Sequence, residues 1–291
     1  MEKIVLGIDV GTTSVKAVLV SSEGRMVDEV SAPHDLLSLR SGWAEENAND
    51  WWNNSVTVVS RLKERSPEAF AKISCIGVTG MVPAIVMLDE EGRPVRNTIQ
   101  QNDARAVDEI REISEKVDQD ELFALTGGYT NQQHVLPRML WVKRHEPEVF
   151  AKMKTVMGSY DYVVYKLTGV KSIEMNWAVE SGLFDIRRRT WLLDQMKAFD
   201  FDPAWFPTVN PSGKIVGEVT PAAAEKTGLA AGIPVIAGSA DHVASTLSAG
   251  IIGEGDLLIK FGGAGDILYC TEEIKTSEKL RSEERRVGKE C

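Results

Sequence analysis

The stretch Ile4-Val5-Leu6-Gly7-Ile8-Asp9-Val10-Gly11-Thr12-Thr13-Ser14 decides how this chain is read. A run of buried-type residues ends at Asp9, so the Asp9 carboxylate emerges at the mouth of a strand. Gly11 permits a tight turn, and Thr12, Thr13 and Ser14 bring hydroxyls and backbone N–H groups to the same spot. Successive N–H groups form an anion-binding concavity, and a carboxylate beside it can hold a hydrated Mg2+. Val15-Lys16-Ala17-Val18-Leu19-Val20 then reads as a returning strand. A P-loop would need G-x-x-x-x-G-K-[ST] entering a helix, and no such string occurs. The competing reading is an ordinary hairpin with a polar turn. Two-residue hairpin turns prefer Asn-Gly or Asp-Gly, and Gly-Thr-Thr after a strand-end Asp matches them poorly, so the phosphate handle is favoured.

The device recurs. Asp256-Leu257-Leu258-Ile259-Lys260-Phe261-Gly262-Gly263-Ala264-Gly265-Asp266-Ile267-Leu268-Tyr269 is again strand, glycine turn, strand. Two such turns far apart in one chain suggest a duplicated domain, each copy offering one phosphate loop to a shared cleft. They do not make a dinucleotide fingerprint, because Leu268 stands where the third glycine should be and a strand follows in place of a helix. A plain glycine-rich hairpin is the alternative for this second turn.

Working outward, Arg25–Val30 continues the opening meander. Trp52, Val56 and Val59 recur at helical spacing within 51–62, with Asn49 or Asp50 placed to cap that helix. Trp51 and Trp52 read as core residues. Ile73–Gly80 reads as a strand, followed by Ala84–Leu88. Helices are expected over 103–117, 137–145, 158–169 and 189–199, with Pro137 suited to a first turn. Pro203, Pro207, Pro211 and Gly213 punctuate a loop-rich passage before the strand Pro234–Gly238, which runs to Ser239-Ala240-Asp241.

The 291 residues are enough for one large or two ordinary domains. A hydrophobic share of 43% and a charged share of 26% are those of a soluble globular protein. The net charge of −10 argues against nucleic acid, which needs a basic face. Apolar runs are strand-sized, so no membrane association is expected, and Met1-Glu2-Lys3 enters the first strand with no leader. Cys75, Cys270 and Cys291 lack a C-x-x-C pair, and the four histidines are scattered, which fits a reducing cytoplasm and shows no metal cluster.

A phosphate loop with a strand-end Asp, a second Asp after a small-residue strand, and a second glycine loop form a specific set. Together they resemble the FGGY carbohydrate kinases of the actin/hexokinase/Hsp70 ATPase superfamily, most closely the xylulokinase branch. The resemblance runs from residue 1 to about 280. It includes Gly42-Trp43-Ala44-Glu45-Glu46, Asp50-Trp51-Trp52, Gly80-Met81, Asn102-Asp103-Ala104-Arg105 and Leu140-Trp141-Val142-Lys143. It continues through Lys166-Leu167-Thr168-Gly169, Gly217-Glu218-Val219-Thr220-Pro221 and Ala237-Gly238-Ser239-Ala240-Asp241. The implied fold is α/β of ribonuclease-H type, a mixed sheet flanked by helices. Residues 1–250 would form the sugar-side domain and 251–280 the opening strands of a truncated second copy.

The resemblance also implies roles. Asp9 would orient Mg2+ through water, while Gly11, Thr12 and Thr13 contact the terminal phosphates of ATP. Gly262, Gly263, Ala264 and Gly265 would hold phosphate from the opposite wall. Asp241 would be the general base for the attacking sugar hydroxyl, with a helix N-cap for 243–247 as its alternative or additional role. The sugar would sit near Met81 and Val82 and near Gln101, Asn102, Asp103 and Arg105, whose polar side chains suit a polyol. The alternative there is a solvated loop capping a helix from 103. Val82 stands where the branch usually has His, Gln101 where it has Trp, and His242 where an Asn is common, so the acceptor need not be D-xylulose. Another ketopentose, glycerol, erythritol, a deoxy sugar, or a non-catalytic ATP-binding relative are the competing readings. Asp241 separates these last two classes, since a binder needs no base. The expected partners are a small-molecule sugar and, at most, a second copy of the chain as a homodimer. Residues 281–291 match nothing in the family and look like the translation of a sequencing adapter, a non-biological tail on a fragment that would itself be inactive.

Overall fold

Period-two burial makes the opening segment a strand with two different faces. Along β1 (Ile4–Val10), Ile4, Leu6, Ile8 and Val10 are buried, while Val5, Gly7 and Asp9 point to the other side. The computed structural model describes residues 2–261 and 265–276. β1 turns through Gly11–Thr13 into β2 (Ser14–Ser21), antiparallel from Ile4 opposite Ser21 to Val10 opposite Val15. β3 (Met26–Pro33) completes the expected meander.

β4 (Ile73–Gly80) lies parallel to β1 on its other side. Beyond it come β5 (Ile215–Glu218) and β6 (Pro234–Ile236), giving the order β5-β6-β4-β1-β2-β3, and β7 (Ser239–Ala240) also pairs with β4. β1, β4, β6 and β7 are mutually parallel where they pair, and the flanks are antiparallel. This is the mixed sheet expected from the resemblance.

Helices cover the buried face. α1 (Ala48–Arg65) packs on β2 and β3, α2 (Val135–His145) packs on the helices Val107–Lys116 and Pro147–Lys152, and α3 (Ser159–Thr168) packs on β4, β5 and β6. α4 (Met175–Glu180) rests against β7, and α5 (Pro221–Thr227) closes the layer against α1 and α3. α6 (Asp241–Ser248) follows β7 directly. After it, β8 (Leu257–Phe261) and β9 (Gly265–Tyr269) form a two-stranded sheet of their own. The glycine turn expected at 262–264 and the tail 281–291 lie outside the described residues. Among the described residues no helix is long and apolar enough to cross a membrane.

The structure corrects several local expectations. α1 starts earlier than its periodicity suggests, and its cap is Asn47, whose side chain accepts from the Asn49 N–H. Trp51 is core, as expected, and its indole N–H donates to Glu46 at 2.7 Å. The helix expected from 103 begins at Val107, because the Asp103 carboxylate is engaged by groups that hold 100–105 as a loop. The helix expected over 189–199 is shortened to Leu193–Ala198. Arg189 takes a left-handed φ of 55°, which turns Thr190–Trp191 back as a strand against Phe184–Asp185.

Candidate active site

The carboxyl ends of β1, β4 and β7 meet in register. Asp9 is opposite Thr79, and Thr79 is opposite Ser239. In open α/β sheets this is where ligands bind, outside the ends of the parallel strands. Asp9 Oδ1, Thr79 Oγ1 and Ser239 Oγ are buried without a hydrogen-bond partner among the described residues. Each such group costs about 1–3 kcal/mol when left unmet. Three in one row therefore mark a place where a ligand or its water belongs. The donors are all oxygens, the set that suits a hard cation with retained waters, so these residues fit Mg2+.

The turn after β1 is pinned from three sides. The Gly11 N–H donates to the Ser14 carbonyl at 3.1 Å, and the His34 N–H donates to the Thr13 carbonyl at 3.0 Å. The Thr12 hydroxyl points to the Met81 sulfur at 4.0 Å. Met81 in turn donates its N–H to the Val10 carbonyl at 3.1 Å. The structure thus brings together Asp9, the Gly11–Thr13 turn and the Met81 side of the expected sugar pocket.

Asp241 is the first residue of α6, and Ala240 occupies the cap position with no side-chain cap bond. The expected capping role is therefore not what Asp241 does. Its Oδ1 accepts from the His242 N–H at 2.6 Å and lies 3.2 Å from His242 Nδ1, while the side chain stays 48% exposed. A carboxylate in a helix's first turn is favoured by the helix dipole. Burial and the facing Asp241 charge push the Asp9 carboxyl above the ordinary range, against the opposing pull of Lys16. The two carboxylates share a cleft of about 410 Å3 that Thr79, His242 and Lys260 also line.

The expected sugar residues divide into two groups. Met81 and Val82 are buried beside the phosphate turn, Gln101 is half-buried and Asn102 exposed. Asp103 and Arg105 are bound to each other instead. Arg105 Nε and Nη2 donate to Asp103 at 2.9 and 2.7 Å, and Nη1 lies 2.7 Å from Glu45. The guanidinium stacks 3.8 Å over the Trp43 ring, and Asp103 also accepts from the Ala44 N–H at 2.6 Å. With the Arg105 side chain fully buried, this pair fixes the loop that carries Gln101 and Asn102. Gly262, Gly263 and Ala264 lie outside the described residues, and Gly265 opens β9. Thr79 and Ser239 were missed by motif reading. Their signal was a small hydroxyl residue one step before the end of two apolar strand runs.

Residues 4–248 match the FGGY family of carbohydrate kinases, N-terminal domain. The chain belongs to this family. It is 34% identical over 271 residues to the xylulose kinase of Bacillus subtilis (strain 168), covering 93% of this chain and 54% of that protein. It is 33% identical over 249 residues to the L-xylulose/3-keto-L-gulonate kinase of Escherichia coli (strain K12), covering 84% and 50% respectively. The crystal structure of xylulose kinase from Rhodospirillum rubrum superposes with a TM-score of 0.92 at 42% identity, over 94% of this chain and 57% of that one. The fold is that of the sugar kinases of the actin/hexokinase ATPase type. The chain spans about half the length of the curated FGGY relatives it matches.

Proposed function

We propose that the full-length protein transfers the terminal phosphoryl group of ATP to a hydroxyl of a small sugar, a ketopentose of the xylulose type. One observation carries the reading. Two carboxylates, Asp9 and Asp241, flank one cleft at the ends of parallel strands, with a phosphate-suited turn alongside and Met81 against that turn.

Phosphoryl transfer asks the protein mainly for placement and charge neutralisation. In this reading the hydroxyls and backbone N–H groups of Thr12 and Thr13 cradle the terminal phosphates, the Gly11 N–H being held by the Ser14 carbonyl, and Gly262–Gly265 would add phosphate contacts as the family resemblance implies. Asp9, with the Thr79 and Ser239 hydroxyls beside it, would hold Mg2+ through water. When bound, that cation supplies charge neutralisation at the transferring group. Asp241 takes the proton from the attacking hydroxyl. Its exposure leaves it open to the acceptor, and its seat in the first turn of a helix favours a carboxylate there. Gln101 and Asn102, held by the Asp103–Arg105 pair, face the acceptor with Met81 and Val82.

The acceptor is the finer part of the reading. Val82 makes that corner of the pocket apolar, which favours a related ketose or polyol as the second reading. The test is a sugar panel on the full-length protein, with Asp241→Asn beside the parent. Loss of a general base costs about 10²–10⁴ in turnover. The Asn variant should show that loss with ATP affinity little changed. Near-parental turnover on the best sugar would remove Asp241 from the role of base.

A further inference from the structure

Glu174 is fully buried, yet its carboxylate is wired toward the site by hydrogen bonds in three directions. Its Oε2 accepts from the Tyr160 hydroxyl at 2.9 Å and from the Asn176 N–H at 2.9 Å. Its Oε1 accepts from Asn176 Nδ2 at 2.8 Å and from the Ser212 hydroxyl at 2.6 Å. The Glu174 N–H donates to Asp161 Oδ1 at 3.0 Å, and Asp161 Oδ2 accepts from the Gly158 N–H at 3.0 Å at the start of α3. So many donors on one carboxylate exceed what capping α4 requires.

All three routes end on residues 237–240, the segment that delivers Asp241. Tyr160 is buried in α3, and its ring packs against Gly238. A Cβ at Gly238 would stand 3.2 Å from the Tyr160 ring and 1.7 Å from the Val78 carbonyl, so the link between β6 and β7 is pressed between β4 and this ring. Ser212 sits in the turn whose Gly213 N–H donates to the Ala237 carbonyl at 2.9 Å. The Ala237 N–H returns the bond to Lys214 at 2.7 Å. α4, whose N-cap is Glu174, rests against β7, the two residues immediately before Asp241.

We propose that Glu174 is a positioning residue for Asp241, clamping the 237–240 segment through Tyr160, Ser212 and α4. The inference rests on the kinase reading above, in which Asp241 is the base. A base must stand within hydrogen-bond reach of the hydroxyl it deprotonates, and small displacements of reacting groups cost large factors in rate. The clamp acts on kcat, because it sets where Asp241 stands. It makes no hydrogen bond to the phosphate turn after β1, the main hold on ATP in this reading, so ATP affinity changes far less than kcat, even though Ser239 lies in the clamped segment.

The experiment compares the full-length kinase with Tyr160→Phe, Ser212→Ala and Glu174→Gln. A Gln amide turns an NH2 group toward one pair of the donors, so Glu174→Gln breaks half of the clamp. Tyr160→Phe keeps the ring under Gly238 and removes only the hydroxyl. Expected are a fall of about tenfold or more in kcat, KM for ATP within about twofold of the parent, and non-additive losses in the Tyr160→Phe/Glu174→Gln double variant. Melting temperatures taken alongside identify any variant that does not fold. Should Glu174→Gln not fold, the Tyr160→Phe and Ser212→Ala values decide. Folded variants with parental kcat overturn the clamp while leaving the kinase reading intact. So does a fall in kcat matched by an equal loss of folded protein. A parent without sugar-dependent ATP turnover overturns the kinase reading, and the clamp with it.

Discussion

In the kinase reading proposed above, Val82 and Gln101 stand at the edges of the acceptor pocket, outside the Gly11–Thr13 turn that takes the phosphates. Val82 is buried next to Met81, whose sulfur meets Thr12. Gln101 is half-buried on a loop that Asp103 and Arg105 lock in place. Substrate choice should therefore follow these two residues while ATP handling does not. Placing a hydrogen-bonding ring at the apolar corner and a large aromatic at the loop should favour a sugar with a hydroxyl to satisfy the ring. Val82→His with Gln101→Trp in the full-length protein should shift the ratio of kcat/KM values among ketopentoses toward xylulose by about tenfold. KM for ATP should hold. An unchanged ratio across the panel would take both residues out of the pocket. Asp9 and Asp241 were readable from sequence because a polar residue closing an apolar alternating run has only one place to go, the strand's mouth. The fate of Arg105 was not readable. Its partners Glu45 and Trp43 lie about 60 residues upstream, and nothing in the loop itself says that they fold against it.

Between elements, the acidic knot of α3, α4 and the 211–213 turn makes folding sensitive to pH. Burial pushes the Glu174 carboxyl from the ordinary 4.5 up to about 7, only partly offset by its hydrogen-bond donors. Burial also raises the Asp161 carboxyl, with the Glu174 charge adding in the same direction. A raised carboxyl pKa means that the folded state holds its proton more tightly than the unfolded chain. The stability this contributes is present at low pH and is lost as pH climbs from about 4.5 through about 7. For Glu174 alone the linked change is about 3 kcal/mol. Urea denaturation of the parent should show stability rising from pH 8 to pH 5.5, and Glu174→Gln should flatten that rise. Equal slopes in the two proteins would mean that Glu174 does not titrate in this window. At this same scale the strands were far more legible than the helix ends. The β1–β2 hairpin and β4 declare themselves by alternation, which burial on one face enforces along the whole strand. The start of α1 depends on which nearby side chain wins the cap, and Asn47 does so over Asn49 and Asp50 by its extended backbone. The helix expected over 189–199 failed at Arg189, a left-handed residue that no local apolar pattern encodes.

Across the molecule, the hairpin β8–β9 stands apart from the main sheet in strand pairing and in composition. Leu257 pairs with Tyr269 and Ile259 with Ile267, so these four side chains share one face, and each is about half exposed. An isolated two-stranded sheet is marginal in water, and an apolar face of this kind needs a covering layer to hold its hydrogen bonds. β1, by contrast, is paired on both sides and carries Leu6, Ile8 and Val10 into the core. Local stability should therefore differ sharply between the two regions in the 291-residue chain. Native-state hydrogen exchange should find the amides of β1 and β4 protected near the global limit. Those of β8 and β9 should exchange faster by about two orders of magnitude or more, as expected of a locally opening unit. In a longer protein whose chain covered this face, the same amides should slow toward the values of β1. The candidate cleft carries the consequence, since Lys260 of β8 lines it with Asp9 and Asp241. A wall that opens often cannot exclude water from a phosphoryl transfer. The 291-residue chain should accordingly turn over ATP with sugar far more slowly than the full-length protein. Equal protection of β8 and β1 in the short chain, or equal turnover by the two proteins, would show that the hairpin needs no cover.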